Sequence, residues 1–117
     1  MRKLENKVAI ITGGAMGNGL GIAKVFLKYG ASIVILDYAK ELESTVANLK
    51  TEYPESKILG YQVDIRDVEK VKEAVDSAAN TLGHIDILVN NAGVARLETF
   101  ENMSDELRDF HFDINIK

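Results

Sequence analysis

The segment Val8-Ala9-Ile10-Ile11-Thr12-Gly13-Gly14-Ala15-Met16-Gly17-Asn18-Gly19 decides the fold of this chain. Its apolar start predicts a buried strand, and the pattern after the glycines predicts an amphipathic helix. Gly13 would permit a tight turn, Gly17 the close approach of a ligand, and Gly19 the packing of helix against strand. A strand that turns through glycines into a helix N-terminus is typical of a site for the pyrophosphate of a dinucleotide.

Apolar runs and helical patterns alternate along the rest of the chain, which favours an α/β fold with a doubly wound parallel sheet. The predicted strands are 8–12, 31–36, 58–63 and 85–89, and the first two predicted helices are 17–29 and 39–52. Asp67 is the predicted N-cap of a third helix that Gly83 ends. We expect the strand order 3-2-1-4, with the chain ending before a fifth strand, so that strand four keeps an open edge.

A last helix is predicted after a loop, with Ser104 as its N-cap. Leu107, His111 and Ile114 follow at helical spacing and would share one face of this helix. Asn115 would lie in the same helix.

Composition indicates one globular domain spanning residues 1–117. Apolar residues make up 46% of the chain and charged residues 27%, and the formal net charge is −4. Without a basic stripe we expect no nucleic-acid partner. The chain has no cysteine and no apolar run long enough for a signal peptide or a membrane span, so we expect a cytoplasmic protein without a membrane partner.

These features together resemble the short-chain dehydrogenase/reductase family, which has an NAD(P)-binding Rossmann fold. The resemblance rests on the glycine spacing after Thr12, Asp37 after strand two, Asp64-Ile65 after strand three, Asn90-Asn91-Ala92-Gly93 after strand four, and Asn115. Asn18 departs from the isoleucine that the family more often has there. The resemblance identifies the chain as the N-terminal half of a single short-chain oxidoreductase domain.

The resemblance implies a set of cofactor-binding residues: Gly13, Gly14, Met16, Gly17, Asn18, Gly19, Asp37, Tyr38, Asp64, Ile65, Asn91, Ala92 and Gly93. Asp37 would accept hydrogen bonds from the adenosine ribose and repel a 2′-phosphate, which favours NAD over NADP. Many NADP-dependent members have a basic residue where this chain has Met16 or Tyr38. The alternative for Asp37 is a purely structural cap of the next helix.

The resemblance also implies which catalytic groups to expect. Asn115 corresponds to the asparagine of the family's Asn-Ser-Tyr-Lys tetrad and would serve a proton relay, while the serine, tyrosine and lysine would lie beyond Lys117. Tyr53 and Lys57 match the family's Tyr-x-x-x-Lys pattern in letters only, because Pro54 prevents one helix from carrying both. We therefore expect residues 1–117 alone to be inactive. No spacing of histidines and carboxylates predicts a metal site.

The implied function is hydride transfer between NAD and a small alcohol or carbonyl substrate, in a full-length protein that forms a homo-oligomer, a dimer or a tetramer. Two alternatives remain open. One is a module that binds dinucleotide without catalysis, and the other is an interaction domain that has lost its cofactor.

Overall fold

A computed structural model describes residues 3–91 and 111–115 of the chain. The elements are β1 (Val8–Thr12), α1 (Gly17–Lys28), β2 (Ser32–Asp37), α2 (Leu42–Glu52), β3 (Ile58–Gln62), α3 (Val68–Leu82), β4 (Ile87–Asn90) and β5 (His111–Asn115). The strands form one parallel sheet in the order β3-β2-β1-β4-β5. The predicted order 3-2-1-4 is confirmed, and a fifth strand follows β4.

Helices cover both faces of the sheet. On β1, Val8 and Ile10 belong to the core beneath α3, whereas Ala9 and Ile11 belong to the core shared with α1 and α2. These side chains are almost fully buried, as expected for a central parallel strand covered on both faces. The alternation of faces along β1 thus accounts for the doubly wound arrangement.

The ends of the helices follow local sequence signals. Asp67 caps α3 by accepting a hydrogen bond from Lys70 N, and Gly83 ends it at a φ of 92°. The second helix begins at Leu42, later than predicted, because Asp37 and Ala39 form a turn instead. Within residues 3–91, no helix is long and apolar enough to cross a membrane.

The prediction of a last helix is wrong for residues 111–115. This segment is β5, which pairs in parallel with β4, with a register shift between Leu88 and Val89. Apolar Phe112 and Ile114 alternate with polar residues, so the segment also fits the period of a strand. The exposed N–H and C=O groups of β4 offer it partners, which overrides a weak helical preference. Ser104 and Leu107 lie outside the described residues.

The expected open edge of β4 is likewise corrected, because β5 covers it. Asn115 lies on β5 in register with Asn90, at the carboxyl end of the sheet. The pairing keeps Asn115 at the edge where β1 also ends, although it is not in a helix.

The sheet changes winding direction between β1 and β4. The chain moves outward from β1 through β2 to β3 and then crosses to β4 on the other side of β1. In such sheets, ligands bind at this switch point, outside the carboxyl ends of the strands. Thr12, Gly13 and Asn90 lie at or next to the carboxyl ends of β1 and β4, where a ligand site is expected.

The first helix packs unusually close to the end of β1. A Cβ on Gly19 would lie 2.0 Å from the Gly13 carbonyl oxygen and 2.6 Å from Asn91 Nδ2. Only glycine fits there, so Gly19 has the packing role that the sequence predicts. Gly21 lies two residues further along the same helix, and a Cβ built there would meet nothing within 4 Å.

We expect Gly19→Ala to lower the free energy of unfolding by about 2 kcal/mol, because the helix must move away from a backbone carbonyl. Gly21→Ala is the matched control in the same helix and should raise it by about 0.5 kcal/mol through its better helix propensity. Urea unfolding followed by circular dichroism measures both. Equal stabilities for the two variants would contradict the close contact.

Candidate functional site

The loop between β1 and α1 exposes bare backbone at the switch point. Gly13 has a φ of 69° and Gly17 a φ of 60°, a region that favours glycine. Gly13 N donates to the Leu36 carbonyl at 2.8 Å, which joins the loop to the end of β2. A Cβ on Gly17 would meet nothing within 4 Å, so open space lies over the start of α1.

The N-terminus of α1 has no side-chain cap. Its N-cap residue is Met16, and its first turn contains no acidic residue. By contrast, α3 is capped by Asp67 and has Glu69 in its first turn. The partial positive charge at the start of α1 is therefore not offset locally, which favours an external anion. Met16 and Asn18 are exposed beside it.

Asp37 lies beside this loop at the end of β2. One carboxylate oxygen accepts a hydrogen bond from Ala15 N at 2.9 Å and the other accepts from Ala39 N at 2.9 Å. The helix that follows has Glu41 as its N-cap, so Asp37 forms a turn before α2 and does not cap it. Each carboxylate oxygen can accept a second hydrogen bond, which leaves capacity for hydroxyl groups of a ligand. Tyr38, next to it, is 70% exposed.

Thr12 and Asn91 join β4 to β1 and the loop. Asn91 N donates to Thr12 Oγ1 at 3.0 Å, and Asn91 Nδ2 donates to the Gly13 carbonyl at 3.1 Å. The Thr12 hydroxyl also lies 3.3 Å from Asn90 Oδ1. The structure therefore brings the start of the Asn-Asn-Ala-Gly motif against the glycine-rich loop. Ala92 and Gly93 lie outside the described residues.

Asp64 is engaged by a neighbour that the sequence analysis missed. Arg66 donates from Nε to Asp64 Oδ1 at 3.0 Å and from Nη2 to Oδ2 at 2.7 Å. This pairing lowers the pKa of the Asp64 carboxyl from 3.8 to about 2, mainly through the side-chain hydrogen bond, so the carboxylate stays ionised further into the acid range. Ile65 is buried beside it. A ligand amino group that binds Asp64 must share the carboxylate with Arg66.

Tyr53 and Lys57 do not form a helical pair. Tyr53 is the C-cap of α2, and Lys57 follows a turn and precedes β3. The prediction that both are loop residues is confirmed. Within the described part of the chain, no three histidine, aspartate or glutamate side chains lie close enough together to hold a metal ion.

Sequence reasoning also missed Thr45. Its hydroxyl donates to the Ala15 carbonyl oxygen at 2.8 Å, thirty positions away along the chain. A signal was available, because Thr45 falls at helical spacing from Leu42 and Leu49, the buried residues of α2. A polar residue on the buried face of a helix needs a partner, and here the partner is the loop.

The family model for short chain dehydrogenases matches residues 7–117. Oxidoreductase UcpA of Salmonella typhimurium is 48% identical over 117 residues, which is 100% of this chain and 44% of that protein. The NAD-dependent glycerol dehydrogenase of Listeria innocua is 35% identical over 114 residues, covering 97% of this chain and 43% of that protein.

The fold is shared with a carveol dehydrogenase from Mycobacterium avium solved in complex with NAD. Its TM-score is 0.73 at 30% identity, over 88% of this chain and 44% of that one. The chain thus spans less than half the length of the curated relatives named above. Because the family model covers almost every residue and the sheet has the same architecture, the chain belongs to the short chain dehydrogenase family.

Proposed function

We propose that this chain is the dinucleotide-binding part of an NAD-dependent oxidoreductase that transfers a hydride between NAD and a small secondary alcohol or carbonyl compound. The observation that carries the proposal is the uncapped start of α1, which lies under open space at Gly17. Similarity to an NAD-dependent glycerol dehydrogenase and to a carveol dehydrogenase that binds NAD supports both the cofactor and the alcohol substrate class.

The pyrophosphate would lie against the start of α1. Backbone N–H groups of Gly17, Asn18 and Gly19 are in the first turn of the helix, where such groups lack partners within the helix. Two phosphate charges would be stabilised by these donors and by the helix dipole. Gly13, Gly14 and Met16 would contribute the surrounding backbone.

The adenosine would extend from the loop toward the ends of β2 and β3. The free acceptor capacity of Asp37 suits the two ribose hydroxyls, and Tyr38 would lie at the edge of the pocket. Asp64 would accept a hydrogen bond from the adenine amino group while it keeps its hydrogen bonds from Arg66. The backbone of Ile65 would face the adenine ring. Asn91, with Ala92 and Gly93, would line the ribose on the β4 side.

NAD, when bound, supplies the nicotinamide carbon that accepts or donates the hydride. The residues of this chain would bind and orient it, and Asn115 at the end of β5 would belong to a proton relay. We expect the serine, tyrosine and lysine of the family to come from a segment that corresponds to the part of the longer relatives that this chain does not cover. The same part would form most of the substrate pocket and the contacts of a homo-oligomer.

Titration with NAD under nuclear magnetic resonance tests the site directly. We expect chemical-shift changes at the amides of Gly13–Gly19, Asp37 and Asp64–Ile65, because these residues would contact pyrophosphate and adenosine. Residues at the opposite end of the sheet, such as His84, are the internal control. Shifts confined to the last residues of the chain, with none in the glycine-rich loop, would refute the assignment.

Asp37 should decide between NAD and NADP. A 2′-phosphate beside its carboxylate sets like charges close together, so the wild-type protein should prefer NAD. Asp37→Asn keeps an acceptor for the Ala15 amide but removes the charge, and should reduce the NAD preference by about tenfold, equivalent to about 1.4 kcal/mol. Glu41→Gln, which removes an exposed charge nearby, should leave the ratio unchanged. A wild-type preference for NADP would show that Asp37 has another role.

The isolated 117 residues should bind NAD without reducing it. Tyr53 and Lys57, which match the catalytic pattern in letters, are separated by a turn and cannot act as a helical pair. Absorbance of reduced nicotinamide, recorded with a series of secondary alcohols, measures turnover, with the longer protein as the positive control. Turnover by residues 1–117 that disappears in Tyr53→Phe would contradict this expectation. A longer native protein that binds NAD but never turns over would favour the non-catalytic module.

A further inference from the structure

The peptide groups of Ala15 are held from two sides by side chains outside the loop. Its N–H donates to Asp37 Oδ2 at 2.9 Å, and its carbonyl oxygen accepts from Thr45 Oγ1 at 2.8 Å. Ala15 is only 2% exposed. It lies between Gly14 and Met16, directly before the first turn of α1.

Asp37 and Thr45 together form a clamp on the Ala15 peptide. This clamp fixes the backbone conformation of the loop between β1 and α1, which the glycines of the loop do not restrict. Gly13 and Gly14 before Ala15, and Gly17 two positions after it, allow many backbone conformations, so the loop has a high entropic cost of ordering. A buried backbone group without a partner is unfavourable, so the two hydrogen bonds to Ala15 favour one path of the loop. The path of the loop is therefore set by the end of β2 and by α2.

Thr45 differs in this respect from the other hydroxyl residues of α2. Ser44 Oγ donates to the Glu41 carbonyl and Thr51 Oγ1 to the Ala47 carbonyl, which are both within or next to the same helix. The Thr45 hydroxyl instead reaches across to the glycine-rich loop. Its hydrogen bond links two separate elements of the fold.

We propose that Thr45 is a positioning residue for dinucleotide binding: with Asp37 it holds the Ala15 peptide so that the first-turn amides of α1 face the pyrophosphate. This inference rests on the proposed function. Without the Thr45 hydroxyl, the loop would occupy its binding conformation for a smaller fraction of the time, and apparent affinity falls with that fraction. Asp37 would consequently have two roles, since it accepts a hydrogen bond from the loop and would also bind the ribose.

The clamp acts on the pyrophosphate part of the site, which makes its effect separable from general damage. Adenosine would use Asp37 and Asp64 but has no phosphate to place against α1. Ligands with a pyrophosphate should therefore lose affinity when Thr45 changes, and adenosine should not. A variant that is merely unstable would lower the affinity for all three kinds of ligand to the same extent.

The experiment compares dissociation constants for NAD, ADP-ribose and adenosine by calorimetry and by titration under nuclear magnetic resonance, using the full-length protein. Thr45→Val should raise the dissociation constants for NAD and ADP-ribose by about five- to tenfold. It should change the dissociation constant for adenosine by less than about twofold. Thr45→Ser restores a hydroxyl and should bind within about twofold of wild type. Thr51→Val, the same substitution in the same helix, should bind like wild type.

A second variant guards against a helix effect of valine. Thr45→Ala removes the hydroxyl while improving helix propensity, so it should show the same selective loss of NAD and ADP-ribose. Wild-type affinity for NAD in both Thr45→Val and Thr45→Ala would overturn the inference and leave the proposed function standing. An equal loss of affinity for NAD, ADP-ribose and adenosine would also overturn the inference about Thr45. Failure of the wild-type protein to bind NAD would overturn the proposed function itself.

Discussion

The close contact between α1 and the end of β1 is the constraint on which the rest of this structure depends. Gly19 lies against the Gly13 carbonyl with no room for a Cβ, so the start of the helix is held at the switch point of the sheet. Met16 provides no side-chain cap, so the first-turn amides of the helix have no acceptor from the N-cap side chain. A backbone contact thus fixes the position of the helix N-terminus against which we propose that the pyrophosphate binds.

Around this contact, the described side chains mostly hold backbone in place. Asn91 bonds the Gly13 carbonyl from the β4 side, while Asp37 and Thr45 bond the Ala15 peptide from the side of β2 and α2. The loop is therefore supported from both halves of the sheet that meet at β1. Such support fits a binding surface that is formed before its ligand arrives, which lowers the entropic cost of binding.

The segment at the end of the chain illustrates how two periodicities compete. Leu107, His111 and Ile114 have helical spacing, yet Phe112 and Ile114 alternate as in a strand. The edge of β4 decides between them, because its backbone groups pair with residues 111–115. Asp64 gives a similar case at the level of side chains: only the loop conformation places Arg66 against both of its oxygens.

The sequence by itself determined the alternation of strands and helices from β1 to β4, the glycine-rich turn and the exclusion of Tyr53 and Lys57 as a helical pair. These features follow from local backbone preferences and from the period of apolar residues, and both depend only on residues that are close together in the sequence. Only the tertiary structure decided the pairing of β5 with β4, the hydrogen bonds that Asp37 accepts from two backbone amides, and the contact of Thr45 with the loop. Most of these bonds join elements far apart in the chain, and hydrogen-bonding groups of that kind find their partners only once the sheet and helices have packed.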